Sequence, residues 1–389
     1  MPGGAGHAQR CAGSGRASWP GWAAFDRAQS RLSQARHTPV GAVIRSPRRF
    51  GVGGSTSGSS SVTDPEESRL SAEIRIAHLS DWHATTLAGG ARALWPPKRL
   101  SGWASWRLRR RHHQSRGVLE AAMRDVRSQN VDRILVTGDL THVSLPQEFR
   151  LAAEQLAALG SPEEVFLVPG NHDCYVPVPA AESWDHWSGY LSGARPSDFD
   201  ETIADCLSSA RVDGRAPAHE DFPTLRVYGR LATIGLCSSI PTPIFRAGGR
   251  LGALQLERLE RLLIALGERA LCRVVMIHHP VAEHGESARR RLWDGQALRD
   301  VLARAGAELV LHGHKHRRCV NSLPGPNAEI PVIGVPSSSE VGSRPEKRAQ
   351  YHVFTIAESR NPKRFRVEAE IRGFDPESGE FVHVNETLF

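Results

Sequence analysis

The sequence predicts an α/β protein built of stacked layers, and three observations carry that prediction. Short apolar runs alternate with stretches of helical spacing over most of the chain after residue 74. Polar clusters follow directly on five of the apolar runs. At 389 residues, 40% hydrophobic and 23% charged, the chain can bury one large core and has room for two domains at most.

Residues 1–70 are rich in Gly, Ser, Ala and Arg, with Asp26 the only acidic residue before position 60, and show no sustained apolar period. The composition predicts disorder. It fits a transit peptide or an over-extended translation start equally well. Order is expected from Ile74. Residues 74–79 read as a strand, 118–126 as a helix, and 133–137 and 165–168 as strands. The runs at 233–236, 274–277, 308–311 and 332–335 are strand-like, with helical patterns at 254–263 and 296–303. Beyond Tyr351, strands at 352–356 and 365–371 are expected to complete a sheet. The predicted organisation is an extension (1–70), a catalytic domain (71–357) and a strand-rich tail packed on it (358–389).

A net charge of +7 and a pI near 9.4 suit an anionic partner. Cys11, Cys174, Cys206, Cys237, Cys272 and Cys319 form no CxxC pair and read as reduced thiols, which excludes a disulfide scaffold. No run approaches the roughly eighteen apolar residues of a membrane span, and no continuous apolar h-region stands at the N-terminus. A cytoplasmic protein is expected, peripheral at a membrane at most.

The five polar clusters are Asp81-Trp82-His83, Gly138-Asp139, Gly170-Asn171-His172-Asp173, His278-His279-Pro280 and His312-Gly313-His314-Lys315-His316. In layered α/β folds the carboxyl ends of strands converge on one rim, so residues far apart in sequence can meet in one crevice. Carboxylate, imidazole and amide donors in this mixture suit Mn, Fe or Zn. Singly, each cluster is a common turn or a core histidine. Five in series, each after a strand, do not fit a structural role alone.

The series D-x-H, G-D, G-N-H-D, H-H-P, G-H-x-H resembles the signature of the calcineurin-like metallophosphoesterase superfamily, over about residues 74–356. The resemblance implies a four-layer α-β-β-α sandwich with a dinuclear metal centre at the strand ends. Carried over by position, Asp81, His83 and His316 correspond to ligands of one ion, and Asn171, His278 and His314 to ligands of the other. Asp139 corresponds to the bridging carboxylate, and His172 to a catalytic acid or orienting group outside the ligand set. Two cations about 3.5–4 Å apart can share a hydroxide and polarise phosphoryl oxygens for in-line displacement. Among the neighbours, His279 is expected to support the ligands rather than contact substrate, His312 to be structural, Asp173 to orient His172 or its loop, and His142 to face solvent rather than lie near the phosphate.

After Gly138-Asp139 comes Leu-Thr-His rather than the V-D-R-G of Ser/Thr protein phosphatases. His83 is present and Thr137 precedes Gly138, unlike the purple acid phosphatases. What remains resembles the bacterial phosphodiesterase group. The expected activity is metal-dependent hydrolysis of a phosphodiester or pyrophosphate bond, on a nucleotide-type substrate. The stretch from Trp95 to Arg116 interleaves Trp95, Trp103 and Trp106 with Lys98, Arg99, Arg107, Arg109, Arg110, Arg111 and Arg116. It suits an anionic membrane surface, with indoles at the lipid boundary and arginines on headgroups. Nucleic-acid binding is the lesser reading, and a basic helix packing its tryptophans on the domain is the bland one. A membrane-surface hydrolase of a nucleotide-linked lipid and a non-catalytic scaffold are the rival functions.

Overall fold

In the computed structural model, residues 73–83, 87, 94–106, 114–210, 214–282, 286–342, 345–359 and 365–388 are described. The expectation for residues 1–70 lies outside them. The chain divides at Asp64 and Pro65, and every described residue belongs to the second unit.

The elements run β1 (Ile74–Leu79), α1 (Pro97–Ser105), α2 (Arg116–Ser128), β2 (Arg133–Val136), α3 (Pro146–Leu159), β3 (Val165–Leu167), β4 (Thr224–Tyr228), β5 (Leu231–Gly235) and α4 (Ala253–Glu268). They continue with β6 (Cys272–Met276), α5 (Gly295–Ala305), β7 (Leu309–His312), β8 (Cys319–Pro324), β9 (Glu329–Gly334), β10 (Gln350–Glu358), β11 (Phe365–Asp375) and β12 (Glu380–Val384). One six-stranded sheet has the order β12-β11-β10-β1-β2-β3, the other β4-β5-β6-β7-β9-β8.

Strand alternation explains the layers. In β2, Ile134 and Val136 pack with the apolar stripe of α2 (Val118, Leu119, Ala122, Val126) and with Phe149 and Leu156 of α3, whereas Leu135 joins the core between the sheets. Val274, Met276, Leu309 and Leu311 enter that same inter-sheet core. Val275 and Val310 point the other way, onto Leu259, Leu262, Leu263, Leu298 and Leu302 of α4 and α5. The result is the expected α-β-β-α sandwich. α3 begins on Pro146, and buried Glu148 accepts from the N–H groups of His142, Val143 and Leu145 at 2.7, 3.0 and 2.9 Å.

The parallel strands set the site. Leu79 pairs with Val136, and Val136 with Leu167, so β1, β2 and β3 end level. In the second sheet Met276 pairs with Leu311, and His312 with Gly334. The turns after these strands therefore share one edge. The five cysteines described are free. Among the described residues no helix is long and apolar enough to cross a membrane.

The sequence pattern did not disclose α3, β4, β8 or β12. In β4 the apolar run is broken by Arg226, whose guanidinium is buried on the carbonyls of Pro162, Val165, Gly189, Tyr190 and Ser192. β8 and β12 are edge strands with many exposed residues. β11 and β12 supply two of the six strands of their sheet, and Leu388 sits in the inter-sheet core.

Candidate metal centre

All seven candidate ligands lie in turns that follow parallel strands, and six of them are buried. Asp81, His83, Asp139, His314 and His316 have φ of 53, 41, 59, 69 and 48°. Left-handed backbone costs a non-glycine residue roughly 1–2 kcal/mol, so five such residues persist only because long-range contacts over-determine them. The Asp81 N–H donates to the Gly138 carbonyl at 2.9 Å and the His83 N–H to the Asp139 carbonyl at 3.2 Å. The His314 N–H donates to the Asp81 carboxylate at 2.9 Å. Gly138 (φ 86°) and Gly170 touch back to back, and a Cβ on either would run into the other's backbone or into Asp139.

Asp173 ties two of these turns together. Its carboxylate accepts from the N–H groups of Asp139 (2.8 Å), Leu140 (2.9 Å), Thr141 (2.9 Å) and Gly170 (2.9 Å). Burial and then the charge of Asp139 push its pKa up to about 7, against the pull of the Gly170 and Thr141 N–H groups. The expected orienting role is thus a backbone clamp on the Asp139 and Asn171 turns.

The donor atoms converge. Asp81, His83 and His316 form one group able to hold a metal ion, and Asp139, His278 and His314 another. His83, Asp139 and His172 form a third that overlaps both. Asp139 Oδ2 lies 3.7 Å from His83 Nε2 and 3.3 Å from His278 Nε2, between the first two groups. Asn171 Oδ1 is 3.1 Å from His278 Nε2 and 2.7 Å from His314 Nδ1.

The donor set fits metal ions. The Nδ1–H of His83 donates to the Thr141 carbonyl at 2.7 Å, and that of His278 to the Thr137 carbonyl at 2.6 Å. Both rings thereby turn Nε2 toward the cluster, the tautomer a metal-binding imidazole needs. His83 Nε2 faces His316 Nε2 at 3.3 Å, and His278 Nε2 faces His314 Nδ1 at 3.3 Å. Ring nitrogens that face each other beside carboxylates are satisfied by a cation, a proton or a metal ion, between them. Burial disfavours charge on His278 and His316, yet Asp139 lifts the first to about 9, and Asp81 with Glu340 the second to about 9. Positive charge is therefore stabilised at two separate points. Burial also works against charge on Asp139, but His278 and His172 hold its pKa well below the usual carboxylate range.

The remaining histidines divide by contact. The His172 N–H donates to Asp139 Oδ1 at 2.7 Å, its ring Nδ1–H donates to the His142 carbonyl at 2.5 Å, and the ring stacks on Tyr175 at 5.5 Å. His279 takes a hydrogen bond from Ser238 Oγ at 2.7 Å and donates to the Ala247 carbonyl at 3.2 Å, beside His278. His312 is buried against Gly313 and Gly334, as expected of a structural residue. His142 corrects the expectation of a solvent-facing loop residue: it is 7% exposed and stacks on His83 at 5.3 Å, because Glu148 draws its backbone inward.

One feature escaped the sequence. Ser337 Oγ donates to the Asp81 carbonyl at 2.7 Å, Ser339 Oγ donates to the Trp82 carbonyl, and Glu340 Oε2 lies 3.6 Å from His316 Nδ1. This Ser337-Ser338-Ser339-Glu340 run follows β9 as the five clusters follow their strands. That position was its signal, muted by the lack of a histidine. Arg107, Arg109, Arg110 and Arg111 lie outside the described residues, but Trp103 and Trp106 pack inward near Leu87, Val143 and Tyr175, and Trp106 lies 5.9 Å from His142. Only Trp95, 72% exposed, keeps the surface position expected of the indoles. Lys98 sits 4.3 Å over the Tyr175 ring and donates to the Thr242 carbonyl at 2.7 Å, and burial lowers its pKa to about 8.

A dimetal phosphatase from Danio rerio is similar in structure at 14% identity, the alignment covering 77% of this chain and 95% of that one, with a TM-score of 0.44. A purple acid phosphatase from yellow lupin aligns at 13% identity over 80% of this chain and 53% of its own (TM-score 0.46). A 5'-nucleotidase precursor from Thermus thermophilus aligns at 14% identity over 79% and 56% (TM-score 0.44). This chain thus spans little more than half the length of the last two. No curated protein matches it in sequence. The family model of the calcineurin-like phosphoesterases, however, matches residues 74–318, from β1 to just past the last candidate ligand. The chain belongs to that family, and it is a metal-dependent phosphoric ester hydrolase.

Proposed function

We propose that this protein hydrolyses phosphodiester or pyrophosphate bonds, on a nucleotide-type substrate, at a centre of two divalent or mixed-valence ions of manganese, iron or zinc. Asp81, His83 and His316 would hold one ion, and Asn171, His278 and His314 the other. The observation that carries the reading is the position of Asp139, whose Oδ2 stands within 3.7 Å of one donor group and 3.3 Å of the other. Cations held there would supply Lewis-acid activation of water and of the phosphoryl group. The chain's own part is orientation and proton handling. The His142 carbonyl fixes the His172 tautomer, so Nε2 is the nitrogen that would exchange a proton with a leaving oxygen.

A non-catalytic scaffold would have no need to retain seven donors, and all seven are present. The test is metal content together with a hydrolysis screen, with manganese supplied, over cyclic nucleotides, nucleotide-diphosphate lipids, aryl phosphodiesters and aryl phosphomonoesters. About two ions per chain and turnover of a diester or pyrophosphate are expected. Full activity with one ion, or turnover of monoesters alone, overturns the reading. His172→Ala should keep both ions and lower kcat by roughly 10²–10⁴, less for substrates with good leaving groups. If that variant empties a metal position, His172 is a ligand instead.

A further inference from the structure

Beside the centre stands a surface that the hydrolytic reading does not use. After β5 the chain forms a tip closed by two hydrogen bonds, Arg246 N–H to the Pro243 carbonyl (3.2 Å) and Thr242 Oγ to the Arg246 carbonyl (2.7 Å). The tip carries Ile244, 40% exposed, and Phe245, 80% exposed. Its base is pinned over the centre: the Ala247 carbonyl receives His279, and a Cβ on Gly249 would strike that ring. Lys98 clamps the tip to α1 through the Thr242 carbonyl and hydroxyl; Leu100 on that helix (51%) and Trp95 just before it are exposed. Four of the nine large apolar side chains exposed among the described residues thus fall on two neighbouring segments joined by one lysine. Scattered exposure needs no explanation, but a cluster rimming a site does.

Charge accompanies the cluster. The tip's descending strand pairs with a run of arginines, Ala247 N–H to the Arg289 carbonyl (2.9 Å) and Gly249 N–H to the Arg291 carbonyl (3.2 Å). Arg246, Arg250, Arg289, Arg290 and Arg291 are all exposed. Among the described residues none of the five has an acidic partner within ion-pair distance, whereas Arg116, Arg124, Arg230, Arg261, Arg269, Arg304 and Arg366 each have one.

We propose that this rim, the 241–250 loop with Arg289, Arg290, Arg291 and the start of α1, docks the protein on an anionic lipid surface. The arginines would meet phosphate headgroups, while Phe245, Ile244, Trp95 and Leu100 enter the acyl boundary. Single-stranded nucleic acid would also engage arginine and aromatic rings, but Ile244 and Leu100 offer no face for a base to stack on. Docking in this pose presents the centre to the headgroup layer. It does not depend on which ester is cleaved.

The test is sedimentation of the full chain with vesicles of phosphatidylcholine alone, and with vesicles in which phosphatidylglycerol replaces about a quarter of it. Wild type should bind the second and not the first, and binding should weaken as salt rises. Arg289→Gln, Arg290→Gln and Arg291→Gln combined should weaken partition on the order of a hundredfold, from the attraction of each basic residue to an anionic surface. Ile244→Ser with Phe245→Ser should weaken it roughly tenfold or more. Thermal melting of both variants should match wild type, since these side chains are exposed. No binding of wild type to the anionic vesicles overturns the proposal, as does equal binding by wild type and both variants. Loss of single-stranded DNA binding in the arginine variant, with vesicle binding intact, transfers the surface to nucleic acid and overturns it equally.

Discussion

Asp173→Asn isolates the clamp beneath the centre. In the wild type one carboxylate oxygen accepts the N–H groups of Leu140 and Thr141, and the other those of Asp139 and Gly170. Asparagine keeps one acceptor and presents an NH₂ in place of the second. Whichever way the amide turns, two backbone N–H groups then face a donor at less than 3 Å, with no solvent to replace the lost acceptor. Each buried donor left unsatisfied costs about 1–3 kcal/mol. Relief of the repulsion between Asp173 and Asp139 offsets part of that. The expected loss is therefore about 2–5 kcal/mol, or a fall in melting temperature of roughly 5–15 °C. Urea unfolding with and without added manganese measures it. The loss should be accompanied by weaker metal retention, because the clamped turns carry Asp139 and Asn171. A loss under about 1 kcal/mol would refute the argument that four donors fix this carboxylate.

Asp139→Asn preserves the acceptor for the His172 N–H and suits left-handed backbone, so the fold should hold while turnover falls to near background; activity within a fewfold at normal melting temperature would remove Asp139 from the bridging position. Glu340→Gln should leave melting nearly unchanged but raise the dissociation constant for one of two ions by roughly 10–100-fold, as outer partners of metal-binding histidines do; equal titration of both ions by wild type and variant would exclude the contact with His316. Lys98 gives a pH test. Burial lowers its folded-state pKa to about 8, below the unfolded value near 10.4. Below pH 8 both states hold the proton and the burial cost is fully present. Between about pH 8 and 10.4 the unfolded state binds more protons, so stability rises with pH. Wild type should gain on Lys98→Met over that window in denaturant titrations, and a flat difference would show that Lys98 keeps its ordinary pKa.

Much of this protein was written locally. Strand pleat has period two, so Ile134, Leu135 and Val136 could only alternate between two faces, and their apolar character announced a strand covered on both. The donor types were equally local. Asp81, His83, Asp139, Asn171, His278, His314 and His316 each stand within a few residues of a strand's end, and level strand ends bring such positions to one edge. What the sequence lacked was anything that depends on which atom meets which. Left-handed backbone at five of these positions is imposed by partners far along the chain, such as Gly138 for Asp81 and Asp81 for His314. Asp and His enter that region more readily than most residues, but so weak a preference does not place it at these five positions. His142 was misjudged because its exposure is set by the pull of Glu148 and the ring of His83, and Glu340 went unseen because its meaning arises only when β9 ends beside His316. Residue types and their periods are properties of the chain. The direction of a lone pair, the occupant of a carbonyl and the company an arginine keeps on the surface are properties of the packed molecule, fixed only when segments hundreds of residues apart exclude water from between them.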